Sequence, residues 1–153
     1  PLQFCKDIEQ FAPLHDIGKV GIPDAVLLAE RKLADDEFKV IKRHPYLGYK
    51  ILNDKYSMAM GADIAYGHHE KFDGTGYPQG ITGEDIPLVA RIVSIADVYD
   101  ALRSKRPYKD PWTHEEAVAT IKENSGTAFD PRLVEAFIAL EKEFAQVSDE
   151  LRD

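Results

Sequence analysis

Residues 87–103 read PLVARIVSIADVYDALR and form the most apolar helix-like segment of the chain. The proline stands at the first position, where a helix has no internal hydrogen bond for the missing N–H to break. A helix that is apolar on most of its faces must be buried in the core. The segment therefore predicts a central core helix from Pro87 to about Arg103. No segment of the chain has the alternating pattern of a strand, so the predicted fold class is all-α.

Asp97 lies in the middle of this predicted core helix. An unpaired carboxylate there would cost several kcal/mol, so the group must be hydrogen-bonded, ion-paired or bound to a metal ion. We interpret Asp97 as a metal ligand. Asp100 follows about one turn along the helix and is expected to face the same cavity.

A second segment, residues 68–78, reads HHEKFDGTGYP and precedes the core helix. Two adjacent histidines and nearby carboxylates form a ligand mixture that suits zinc, iron or manganese better than calcium or magnesium. Successive helical residues diverge by about 100°, so His68 and His69 are expected to serve two neighbouring ions from one helix end. That helix is predicted from Met58 to His69. The glycine-rich loop of residues 70–86 is typical of loops that carry function.

Two weaker signals lie nearer the N-terminus. His15 and Asp16 are adjacent, with Lys19 three residues after the aspartate. Taken alone, this pair favours a histidine that hydrogen-bonds its neighbours over a metal ligand. His44 precedes Pro45, which stops or bends a helix and leaves the histidine at a helix end with its ring free to enter a site. The competing interpretation of His44 is a solvated residue.

A basic cluster follows the predicted core helix. Arg103, Lys105, Arg106 and Lys109 lie within seven residues of a chain whose net charge is −8. A solvated charge run is the usual explanation of such a cluster. Its position directly after the ligand helix also favours phosphate binding, because Arg and Lys neutralise anionic oxygens.

Composition limits the remaining function classes. A length of 153 residues predicts one domain, since single domains commonly have about 100–200 residues. The acidic balance argues against a general nucleic-acid or membrane-binding surface. The single cysteine, Cys5, cannot form an internal disulfide and fits a reducing compartment. No apolar run approaches the roughly 18 residues of a membrane span, and we expect a cytoplasmic protein.

The remaining elements are predicted from apolar spacing, caps and prolines. We expect breaks at Pro13 and Pro45, an irregular link over residues 24–34, and a surface position for His114. The predicted elements are a helix from Phe4 to Leu14, one capped by Asp35 or Asp36 and ending at His44, one from Tyr46 to about Leu52, one opened by a capping box between Thr113 and Glu116, one that begins at Asp130-Pro131, and a polar tail over residues 147–153.

Taken together, these blocks resemble the HD-GYP subfamily of the HD superfamily of metal-dependent phosphohydrolases. The resemblance covers about residues 12–140 and is specific, because separated blocks agree in residue type and in order. The blocks are residues 14–19 (LHDIGK), His44-Pro45, residues 68–78 (HHEKFDGTGYP) and residues 91–102 (RIVSIADVYDAL).

The resemblance implies a bacterial cyclic di-GMP phosphodiesterase with a compact helical fold, about six to seven helices around two or three divalent ions, iron or manganese. Hydrolysis to pGpG, or further to GMP, would proceed by attack of a metal-bridging hydroxide on phosphorus. The implied metal ligands are His15, Asp16, His44, His68, His69 and Asp97, with Asp16 bridging two ions. The implied catalytic residues are Lys19, Asp16 and Asp97, and the implied substrate-binding residues are Tyr77, Arg106 and Lys109.

One departure from the family pattern concerns the N-terminus. The family normally contributes a further histidine from an earlier helix, whereas only fourteen residues precede His15. We therefore expect residues 1–146 to form an HD-GYP-like domain without its upstream first helices, with incomplete metal ligation and slow turnover. Expected partners are a cyclic dinucleotide and a diguanylate cyclase, receiver or sensor domain. The alternatives are a catalytically impaired module that acts by protein interaction or nucleotide sensing, and a phosphohydrolase for another nucleotide.

Overall fold

The computed structural model describes residues 1–107 and 109–151, and the elements that these residues form are α-helices and 3-10 turns joined by loops. The predicted all-α class is confirmed, since the described residues form no strand and only two isolated bridges. Short 3-10 turns join several of the helices. The α-helices are α1 (Leu2–Phe11), α2 (Asp24–Leu27), α3 (Asp35–Ile41), α4 (His44–Leu52), α5 (Ala59–Gly67), α6 (Leu88–Arg103), α7 (His114–Glu123), α8 (Pro131–Ala139) and α9 (Glu141–Glu150).

Helix α6 is the predicted core helix, and it begins within one residue of the predicted start. Its N-terminal half packs Val89 and Val93 with Ile64 of α5. Its C-terminal half packs Ile95 and Tyr99 into a second apolar cluster with α7 and α8. The helix is buried because it lies between these two clusters.

The predicted break at Pro13 is confirmed, whereas the break predicted at Pro45 lies earlier, between Ile41 and His44. Pro13 lies in a 3-10 turn, Ala12–Leu14, that follows α1. Pro45 lies in the first turn of α4, where its fixed φ suits a helix start, so His44 begins α4 and does not end α3.

The predicted cap of α3 is wrong. Ala34 occupies the N-cap position, and its N–H donates to the Glu37 carboxylate at 2.9 Å. Arg31 pairs with the same carboxylate at 2.6 Å and fixes it over the helix end. Asp35 and Asp36 lie inside the first turn, where negative charge complements the helix dipole.

The link over residues 24–34 contains one short helix, α2, and is not wholly irregular. The capping box between Thr113 and Glu116 is confirmed. So is the start of α8 after Asp130. The helix predicted from Asp130 divides at Leu140 into α8 and α9.

Helix α9 continues to Glu150, so part of the predicted tail is helical, while residues 152 and 153 lie outside the described residues. Phe144 holds α9 against Phe137, with ring centroids 4.9 Å apart. Arg103 donates to Asp149 at 3.0 Å. His114, predicted at the surface, is half-buried: its side chain is 17% exposed, and its Nδ1 lies 2.9 Å from the Tyr99 hydroxyl.

The helices of the described residues are all too short or too polar to cross a membrane.

A close backbone approach joins α4 to the 3-10 turn Ile17–Gly21. A Cβ atom on Gly18 would overlap the carbonyl oxygen of His44 and lie 2.5 Å from the amide nitrogen of Gly48. Only glycine lets the two backbones come this close. The contact sets the distance between the residue before that turn, Asp16, and the first residue of α4.

Candidate metal centre

Four of the predicted ligands converge on one point. Asp16, His44, His68 and His69 each offer one ligand atom, and these atoms lie within 4.8 Å of one another. Three imidazole nitrogens and one carboxylate oxygen form a donor set that suits a transition metal. The cluster could therefore hold a metal ion.

Helix ends deliver these side chains. Asp16 precedes the 3-10 turn Ile17–Gly21, His44 begins α4, and His68 and His69 follow the last residue of α5. Helix α4 packs against both α5 and that turn, so residues far apart in sequence meet. His44 is 2% exposed, which excludes the solvated interpretation.

Three imidazoles share one orientation. Each Nδ1 donates its proton to a backbone carbonyl one turn earlier, which leaves Nε2 with a lone pair directed at the cluster when the ring is neutral. Metal-binding histidines in proteins are commonly held this way. The bonds join His15 to Ala12 at 2.8 Å, His44 to Ile41 at 2.7 Å, and His68 to Ala65 at 3.0 Å.

The Asp16 carboxylate lies at the centre of these rings. Its Oδ1 is 3.2 Å from Nε2 of His44 and 3.3 Å from Nε2 of His68. The two Nε2 atoms are 3.4 Å apart. Oδ1 is buried and has no hydrogen-bond partner among the described residues. When both rings are neutral, several acceptors thus face one another without a proton between them, an arrangement that a bound cation would stabilise.

His15 and Asp97 form the other side of the centre. Nε2 of His15 is 3.2 Å from Oδ2 of Asp16 and 3.3 Å from Oδ1 of Asp97. Lys19 donates to the same Asp16 Oδ2 at 3.0 Å. The two oxygens of Asp16 therefore point to different partners: Oδ1 to His44 and His68, Oδ2 to His15 and Lys19.

The charges of these groups differ from their ordinary states. Hydrogen bonds with Asp16 and with Asp97 raise the pKa of His15 to about 10, so without a metal ion this ring carries both protons at neutral pH. Burial, with the neighbouring His68 and His44, lowers the pKa of His69 to about 3, and that ring stays neutral. Burial raises the pKa of Asp16, but the surrounding imidazoles outweigh it and hold the pKa well below its usual range.

Tyr77 lies beside the centre. Its ring stacks on His69 with centroids 4.9 Å apart and planes 15° from parallel. Burial raises the pKa of Tyr77 to about 12, and the charges of Asp16 and Asp97 add to the shift. The hydroxyl keeps its proton at neutral pH and can donate a hydrogen bond.

The carboxylates of the loop have a structural role that the sequence did not indicate. Glu70 is 3% exposed and accepts the N–H groups of Gln79 at 2.6 Å and Gly80 at 3.0 Å. Asp73 accepts the hydroxyl of Thr75 at 2.7 Å. These carboxylates shape the loop that presents Tyr77.

The basic cluster does not reach the metal centre through any contact of the described residues. Arg106 and Lys109 form a tight turn in which each backbone N–H donates to the other residue's carbonyl at 3.1 Å. Nζ of Lys109 lies 4.5 Å from the centre of the Trp112 ring. Both cations are exposed and available to an anion.

The prediction that Asp100 faces the same cavity as Asp97 is wrong. Asp100 lines a cavity of about 770 Å³ between α6 and α9, with Arg103 and Phe144 among its other walls. Asp97 instead faces His15, with its Oδ1 3.3 Å from Nε2 of that ring. The two carboxylates are offset by about 60° around α6, so they lie on neighbouring parts of one helix face and border different spaces.

Comparison with known proteins extends these observations. The sequence model of the HD domain family matches residues 3–133. The cyclic di-GMP phosphodiesterase response regulator RpfG of Xanthomonas campestris is 51% identical over 142 residues, which are 92% of this chain and 38% of the relative. A cyclic di-GMP phosphodiesterase of Vibrio cholerae is 50% identical over 149 residues, 93% of this chain and 30% of that protein. The 3'3'-cGAMP-specific phosphodiesterase 2 of Vibrio cholerae is 43% identical over 148 residues, 95% of this chain and 28% of the relative.

A solved structure supports the fold. The crystal structure of a cyclic GMP-AMP-specific phosphodiesterase of V. cholerae matches with a TM-score of 0.58 at 23% identity, over 87% of this chain and 36% of that chain. This chain therefore spans well under half the length of the relatives it matches.

Proposed function

Since this chain belongs to the HD domain family, and within it to the HD-GYP subfamily, we propose that it is a metal-dependent phosphodiesterase that hydrolyses cyclic di-GMP to pGpG or further to GMP. One observation carries the proposal. The unpartnered, buried Oδ1 of Asp16 faces Nε2 of His44 and of His68, each ring oriented by a carbonyl. This arrangement fits a divalent cation better than it fits any neutral set of hydrogen bonds.

The proposed ligand set is the one that the resemblance implies. Nitrogen and oxygen donors in this mixture suit zinc, iron or manganese, and of these the resemblance implies iron or manganese. The different partners of the two Asp16 oxygens support a bridging role for this carboxylate between two ions. The proposed ligands are His15, Asp16, His44, His68, His69 and Asp97.

When bound, the ions would supply a nucleophile from water at neutral pH and neutralise a phosphate oxygen. The protein's own groups would orient the phosphodiester around them. Lys19 is 41% exposed beside Asp16, so its ammonium can contact a phosphate oxygen at the mouth of the centre. Tyr77 can donate its hydroxyl proton to the substrate. Asp97 would bind a metal ion and would also fix the position of the neighbouring His15 ring.

Arg106 and Lys109 are proposed to bind the cyclic dinucleotide beyond the centre. Their support is positive charge on an exposed turn at the end of the ligand helix. A diguanylate cyclase, receiver or sensor domain as partner, and a cytoplasmic location, stay predictions.

A metal analysis of anaerobically purified protein, paired with cyclic di-GMP hydrolysis, tests the proposal. His44→Ala should lose metal and turnover together. His114→Ala is the matched control, because His114 is the one histidine of five outside the centre and contacts Tyr99 instead. Full metal content in His44→Ala, or metal-loaded wild type without turnover, would contradict the proposal.

A second substrate has specific support. The relatives include a 3'3'-cGAMP-specific phosphodiesterase at 43% identity. Both cyclic dinucleotides should therefore be assayed side by side with the same protein, and the ratio of their kcat/KM values would assign the substrate.

A further inference from the structure

Lys42 follows α3 and lies two residues before His44, and its ammonium faces aromatic rings. Nζ is 4.9 Å from the centre of the Phe38 ring and 5.2 Å from the centre of the Tyr77 ring. Lys42 forms no ion pair with a carboxylate of the described residues. The charge is therefore held in place without being neutralised by a carboxylate.

Tyr77 connects this cation to the metal centre. Its ring contacts Lys42 and also stacks on His69. Phe38, the other ring, is 45% exposed and marks the solvent side. Lys42 thus lies one aromatic ring outward from the ligand set, at the edge of the centre.

The aromatic contacts suit an anion-binding role. A cation on ring faces is attracted by the ring electrons but keeps its full charge. Its side chain is already partly ordered, so less entropy is lost when an anion binds. In a chain of net charge −8, such a cation beside the centre favours the approach of an anionic substrate.

We propose that Lys42 is a substrate-binding residue whose ammonium contacts the phosphate of the cyclic dinucleotide that is not being cleaved. The inference rests on the proposed function. Lys19 contacts Asp16 inside the centre and is placed for the scissile phosphate. A cyclic dinucleotide carries its two phosphates in one small ring, so a substrate with one phosphate at the centre presents the other at its edge, where Lys42 lies.

The test compares two substrates of metal-loaded protein: cyclic di-GMP, with two phosphates, and bis(p-nitrophenyl) phosphate, with one. Lys42→Met removes the charge and keeps an apolar side chain against Phe38 and Tyr77. We expect KM for cyclic di-GMP to rise about tenfold, the effect of one charged hydrogen bond, with the loss in KM and not in kcat. For bis(p-nitrophenyl) phosphate, which has no second phosphate, KM should be nearly the same in Lys42→Met and wild type. Lys42→Arg should restore most of the affinity for cyclic di-GMP.

Lys50→Met is the matched control, because Lys50 also lies over a tyrosine ring, at 5.8 Å from the centre of Tyr46. A KM for cyclic di-GMP that is the same in Lys42→Met and wild type would overturn the inference alone. Equal losses on both substrates would also overturn it, since Lys42 would then act on the centre through Tyr77. Absence of cyclic di-GMP turnover by metal-loaded wild type would overturn the proposed function and this inference with it.

Discussion

Gly18→Ala should damage the metal centre without touching a ligand. The added Cβ would overlap the carbonyl oxygen of His44 and lie 2.5 Å from the Gly48 nitrogen, whereas ordinary contacts begin near 3.4 Å. Helix α4 must therefore move by about 1 Å or more away from the Ile17–Gly21 turn. Overpacking of this kind typically costs about 1–3 kcal/mol of folding free energy.

The same displacement would move His44 away from Asp16. In the wild-type structure, Nε2 of His44 lies 3.2 Å from Oδ1 of Asp16. Misplacement of about 1 Å can lower a rate on the order of a hundredfold. We expect a lower free energy of unfolding, measured by denaturant in the presence of a chelator. Metal content, measured by elemental analysis, and turnover should fall as well.

Gly61→Ala provides the control. Gly61 is buried inside α5, but its added Cβ would meet only side chains, the closest being Phe11 at 3.4 Å. Alanine also favours a helix over glycine by up to about 1 kcal/mol, so this variant should be nearly neutral. If Gly18→Ala keeps its metal, and if its free energy of unfolding lies within about 0.5 kcal/mol of the wild-type value, the account of this backbone contact is wrong.

Three further outcomes are expected. Asp97→Ala should lose bound metal while keeping its helical circular dichroism, because its side chain is 27% exposed and faces His15; full metal content would show that Asp97 is no ligand. Arg106→Ala and Lys109→Ala should weaken cyclic di-GMP binding with the metal retained, since a charged hydrogen bond contributes about 1.5–3 kcal/mol; equal affinity at matched ionic strength would make this turn a solvated surface. In chelator, the ion pairs of His15 should contribute stability that is fully present below its unfolded pKa of about 6.5 and is lost as pH rises through about 10. The free energy of unfolding of wild type and of His15→Gln, measured over that pH range, checks this prediction. If the variant loses stability with rising pH as wild type does, the pH dependence belongs to another group.

The sequence predicted the parts of the fold that depend on local chemistry. The apolar run of α6 and the prolines at 13 and 45 act on the backbone of their own segment, so their effects could be read directly. The meeting of His44 and His68 at the centre followed only from the resemblance, since nothing local in either segment encodes their contact.

Other features depend on partners distant in sequence. The division between α8 and α9 at Leu140 depends on how Phe144 packs against Phe137 and Tyr99. His114 is half-buried because its side chain meets that of Tyr99 across two helices. No single segment carries the signal for either contact.

The carbonyl bonds of the imidazoles have a further consequence. The Nδ1 groups of His44 and His68 donate to oxygens in the last turns of α3 and α5, where the helix leaves carbonyls without an internal partner. These side chains therefore act as C-terminal caps. A carboxylate could replace either histidine as a metal ligand, but it has no N–H to donate and would leave the helix end uncapped. Substitution by aspartate should consequently shorten the helix as well as alter the centre, which explains in physical terms why imidazole suits these positions.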